Sequence, residues 1–140
     1  MNTLPPDTEL ESELQELYIL ARHWQQDIAF MEEELQFFRN VLNKYRPTAI
    51  ASDMATKSVG FSREIQKQEK HIGALKTKIP DFMAFLEPFI GDLKKDMDLS
   101  FLDKYNLLQI ELQELFADVK ATKKALFTYT ESIMNSEKTN

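Results

Sequence analysis

The chain has no cysteine, and only three glycines and five prolines in 140 residues. Without cysteine there is no disulfide framework, no thiolate zinc site and no thiol nucleophile. Scarce glycine argues against a turn-rich β architecture and in favour of helix. Imidazoles are almost missing too, since His23 and His71 are the only two. A carboxylate-bridged di-metal bundle needs inward Glu-x-x-His pairs on two helices. This chain has none: Glu69 stands two residues from His71 and faces another way, and Glu32, Glu33 and Glu34 are consecutive and fan around a helix. There is no glycine-rich phosphate loop, and Thr48, Ser52, Thr56 and Ser58 have no histidine near them in sequence to activate a hydroxyl. These absences point to a protein that is not an enzyme and carries neither cofactor nor metal. A run of about 18 apolar residues, the minimum for a membrane span, is also missing. The first residues are acidic and lack the basic-then-apolar layout of a signal peptide, so the expected compartment is cytoplasmic.

What the chain has is apolar periodicity. Hydrophobic residues make up 43% of the chain, ten of them Phe. They recur in alternating steps of three and four along three tracts: Leu10 to Tyr45, Phe61 to Leu93, and Phe101 to Ile133. Only Gln68 and Thr122 break these seams with polar side chains. A repeat of about 3.5 residues keeps one stripe of each helix facing its neighbours and predicts coiled-coil-like packing. The expected fold is all-α, an elongated antiparallel three-helix bundle running up-down-up in a single domain over residues 1–140. Helix one spans about 8–45, a long loop 46–58, helix two about 59–95 and helix three about 100–135. Frayed ends are expected at residues 1–6 and 136–140, and a tight turn from Asp96 to Ser100. The outline resembles a spectrin-type repeat on topology alone, with no shared motif, so the likeness implies no function.

Pro80 and Pro88 fall inside helix two. Each removes a backbone hydrogen bond and crowds the carbonyl four residues earlier, at about 3 kcal/mol. Because the seam keeps its phase across both, the expectation is a continuous helix kinked near Pro80 and Pro88. The alternative has Pro80 opening a new helix, which gives four helical segments.

Charge is uneven. The tract from Asp7 to Tyr45 carries a net −6, equal to that of the whole chain, whereas Lys57 to Lys78 carries +4. A basic stretch can serve nucleic acid, but no aromatics suited to stacking on bases interleave these lysines. The simpler reading sets the stretch beside the acidic first helix as flanking charge that supports antiparallel pairing.

The apolar surplus is the better pointer to function. Phe30, Phe37 and Val41 exceed the seam of helix one, and Leu107 and Ile110 that of helix three. Phe30 and Phe37 lie one heptad apart on an outward face, and large exposed apolar patches are rare on soluble monomers. These five residues form the candidate interaction surface, its partner a second copy or another protein. A second set, Trp24, Phe82, Phe85, Phe89, Phe101 and Tyr105, gathers at one end of the bundle as a candidate aromatic pocket for a small molecule or lipid. The leading expectation is a self-associating helical interaction module; the alternative is a helical bundle that binds a small ligand.

Overall fold

The computed structural model describes residues 6–47, 53–90 and 100–138, with side chains over 12–47, 53–90 and 100–135. Three long helices make up this part of the chain: α1 (Pro6–Lys44), α2 (Asp53–Leu86) and α3 (Ser100–Lys138). A 3-10 turn, Glu87–Phe89, comes directly after α2. All three helices pack on one another, α1 and α2 most extensively and α1 and α3 least. Cross-contacts give the directions. Arg39 and Glu32 of α1 meet Glu69 and Lys76 of α2, so this pair is antiparallel. Gln68 meets Thr122 while Phe82 lies beside Tyr105, so α2 and α3 are antiparallel as well. The fold is the expected all-α, up-down-up bundle.

The heptad seams become the core. From Leu14 onward, every seam residue with a described side chain is buried or half-buried. Leu14, Leu35, Ile65, Leu75, Leu86, Leu115 and Leu126 are fully covered. Leu10 and Leu93 lie outside the described side chains.

Helix boundaries depart from expectation at four places, the first being α1, which already starts at Pro6, inside the expected frayed end. Helix two starts at Asp53 rather than near residue 59, so half of the anticipated loop is helix and Gly60 lies within α2. The helix ends at Leu86 instead of near residue 95. Of the two prolines, α2 runs unbroken through Pro80, whereas Pro88 sits in the 3-10 turn that closes it. Pro80 therefore opens no new helix. Both prolines occupy exposed positions, but their downstream neighbours differ in burial. After Pro80 come Phe82, Met83 and Leu86, all buried. Each contributes about 1.5–3 kcal/mol, more together than the roughly 3 kcal/mol a helical proline costs. Among the described residues after Pro88, Phe89 and Ile90 are only half-buried. The fourth departure is α3, which continues to Lys138, past the expected frayed end at 136. The turn expected from Asp96 to Ser100 falls, up to residue 99, outside the described residues.

The two polar seam residues find each other. Gln68 Nε2 donates to Thr122 Oγ1 at 2.8 Å, to Glu64 Oε1 at 3.0 Å and to the Asp118 carbonyl at 3.3 Å. Its own Oε1 is buried with no partner, a cost of about 1–3 kcal/mol. Replacing both residues by apolar side chains of similar shape, Gln68→Leu with Thr122→Val, removes that orphan acceptor. The double variant is expected to match or exceed the parent in urea denaturation, and Thr122→Val alone to be less stable than the double variant.

Gly73 lies mid-helix, and a Cβ there would meet nothing within 4 Å. Glycine in such a position costs about 0.5–1 kcal/mol relative to alanine. Gly73→Ala is therefore expected to stabilise the fold by that amount, read as a higher denaturation midpoint with unchanged slope.

Candidate functional site

Ion pairs show which flank of each helix borders which neighbour. On α1, Glu32 reaches Lys76 of α2 at 2.7 Å, and Glu34, two residues on, reaches Lys123 of α3 at 3.1 Å. On α2, Glu69 holds Arg39 of α1, with Nε donating at 2.9 Å, and Lys78 holds Glu111 of α3 at 2.9 Å. The Arg39 hydrogen bonds keep the Glu69 carboxyl below its ordinary value, against the opposing effect of burial. That contribution is present above the ordinary carboxylate value of about 4.3 and is lost as pH falls through the lowered one. With both side chains about a third exposed, it is small.

The basic stretch of α2 divides accordingly. Lys76 meets the acidic side of α1 and Lys78 meets α3, whereas Lys57, Arg63, Lys67 and Lys70 make no ion pair among the described residues. Flanking charge thus accounts for two of its six cations.

With the flanks assigned, the candidate interaction residues separate into two surfaces. Phe30 and Phe37 stand on the α3 side of α1, beyond Glu34 in the helical wheel, and are 58% and 51% exposed. Val41 lies between them and the core, half-buried against it. On α3, the flank that carries Lys123 toward α1 also carries Leu102 and Phe116, with Phe127 just outside; all are exposed, as is Leu20 on α1. The pair of parallel helices α1 and α3, the least tightly joined in the bundle, therefore shares one long apolar outer face. Sequence periodicity marks Phe30 and Phe37 as outward. It does not show that Leu102, Phe116 and Phe127 join them, because that depends on which side of α1 the third helix takes.

Leu107 and Ile110 belong elsewhere. They line a groove of about 530 Å³ between α2 and α3, together with Phe82, Phe85 and Leu108, and with Lys78, Asp81, Lys104 and Glu111 at its rim. This groove also takes two members of the aromatic set. The others have different places. Trp24 stacks on Tyr105 with ring centroids 5.2 Å apart, and Phe82 packs against both at 6.4 Å. These rings fill the interior at that level by touching one another. Phe101 is a buried core residue, and Phe89, the last residue of the 3-10 turn, packs on Phe85 at 5.9 Å. The aromatic set is thus a packed end of the core rather than an open pocket: Phe82 and Phe101 are buried, and Trp24, Phe85, Phe89 and Tyr105 are half-buried.

Among the described residues, no group of three or more His, Asp or Glu is gathered as a metal site would require, and no helix is long and apolar enough to cross a membrane. Arg39 and Glu69, whose mutual hydrogen bonds raise the pKa of the first and lower that of the second from their ordinary values, join two helices. Comparison of the chain with protein-family models, with curated proteins and with solved structures finds no match.

Proposed function

We propose that this protein is a non-enzymatic assembly module whose α1/α3 face pairs with the same face of a second copy. The observation that carries the reading is the exposed apolar row on that face, with Phe30 and Phe37 at its centre. Size supports it. A helix of 39 residues is about 58 Å long at ~1.5 Å per residue, and two such helices side by side are about 20 Å wide. The face is thus about 1,200 Å² in projection, above the roughly 800 Å² per partner of a stable interface.

Charge supports a second copy and gives its direction. The amino-terminal halves of both helices are acidic, with Glu13 and Glu16 on α1 and Asp103, Glu114 and Asp118 on α3. The carboxy-terminal half of α3 carries Lys120, Lys123 and Lys124. A two-fold axis perpendicular to the helices sets the acidic half of α3 against its basic half; an axis along the helices would set that acidic half against the acidic start of α1. Perpendicular symmetry also opposes Phe30 of one copy to Phe37 of the other, and the reverse, which is the reciprocal contact an isologous interface requires. Sedimentation equilibrium is expected to return twice the chain mass at micromolar concentration. A strictly monomeric protein at high micromolar concentration would exclude the proposal.

A further inference from the structure

We propose that the α2/α3 groove is a binding site for a small amphiphile with an apolar tail and a single carboxylate, the chemistry of a medium-chain fatty acid. The groove lies on the side of α3 turned away from the α1/α3 face, so it stays open whether or not two copies pair. Its volume of about 530 Å³ falls within the span of about 300–1,000 Å³ of small-molecule sites. Phe82 and Leu108 form the buried floor, and Phe85, Leu107 and Ile110 the walls. Leu107 is 64% exposed and Ile110 51%, so an occupant removes much apolar area from water.

The rim specifies the head group. Glu111 is satisfied, by Lys78 at 2.9 Å and by His71 at 3.7 Å. Lys104 is different: it makes no ion pair among the described residues, and its Nζ sits 5.3 Å from the centre of the Phe85 ring. A cation is thereby held directly against the apolar wall. A carboxylate set there gains a charge-assisted hydrogen bond while its tail runs along Phe85, Leu107 and Ile110. Asp81 also stands at the rim, so the head-group preference rests on Lys104, the cation seated directly against the apolar wall.

The test titrates the full chain with decanoate, decanol and decylamine, one tail with three heads, and tracks backbone amide shifts by NMR. Decanoate is expected to shift amides of residues 78–85 and 104–111 saturably, and to bind about tenfold or more tightly than the other two. Lys104→Met keeps the stem of the side chain and is expected to bring decanoate down to the affinity of decanol. Leu107→Asp, at an exposed position, is expected to weaken all three. Decanoate should bind a Phe30→Glu, Phe37→Glu variant unchanged. The proposal is overturned by an absence of saturable shifts, by equal affinity for the three heads, by undiminished decanoate binding in Lys104→Met, or by shifts confined to the α1/α3 face, as it would be if the groove accepted only a partner helix.

Discussion

Replacing Phe30 and Phe37 together by Glu is expected to convert the dimer to a monomer without loss of helix. Both rings are already more than half exposed within one copy, so the substitutions leave the bundle's own core intact. In the dimer each ring gains about half of the 1.5–3 kcal/mol that full burial of such a side chain provides. The two-fold counts each ring twice, so four half-burials amount to about 3–6 kcal/mol. The dissociation constant should rise by a factor on the order of 10² to 10⁴. Like charges brought together across the axis add to this. Circular dichroism should match the parent at equal concentration, while sedimentation shows the lower mass. Loss of helicity in step with dissociation would instead mean that the rings support the fold of the single chain.

Removing a fully covered seam residue should have the largest effect on stability. Leu75→Ala and Leu115→Ala each delete side chains with no exposed area, at helix surfaces that all face the common core. Such truncations cost the transfer energy of the lost atoms and leave a cavity, about 2–5 kcal/mol together. Against a total of about 5–15 kcal/mol for a typical domain, either variant should lose a large share of its stability, and the double variant should be close to unfolded. Since pairing would add concentration-dependent stability, the measurement is best made in the Phe30→Glu, Phe37→Glu background by urea denaturation. Leu20→Ala, at an exposed position, is the control and should change stability by about 0.5 kcal/mol or less.

Seam burial was legible from spacing alone because a 3.5-residue repeat leaves a helix only one way to face its neighbours. The two seam exceptions, Gln68 and Thr122, were equally visible as exceptions. Their hydrogen bond depends on how far α2 slides along α3, and a heptad repeat admits several such registers. Helix ends were less legible. Nothing in the tract from Asp53 to Ser58 breaks a helix, and Met54 falls on the seam and packs half-buried against the core, but Ser58 between it and Phe61 is polar, so the apolar repeat was interrupted there. The prolines illustrate the same limit: Pro80 and Pro88 have the same intrinsic cost, and burial of the residues after each decided between them. For the candidate surfaces, outward position could be read from the wheel, but neighbourhood could not. Phe30 with Phe37 and Leu107 with Ile110 have similar exposure, and only the order of helices around the axis separates them into two faces.

The absence of native cysteine allows the pairing to be tested with one engineered thiol per chain. If Phe30 opposes Phe37 of the second copy, the two-fold axis crosses α1 beside residue 33. Glu33→Cys should then join its own counterpart in a disulfide under mild oxidation, since linkage needs the two α-carbons within about 7 Å. Glu16→Cys, about 17 residues from that point, is separated from its counterpart by about 50 Å and should stay reduced at the same protein concentration. Selective linkage through Glu33→Cys is the predicted result. Linkage through Glu16→Cys, or none through either in a protein that sediments as a monomer, would contradict it.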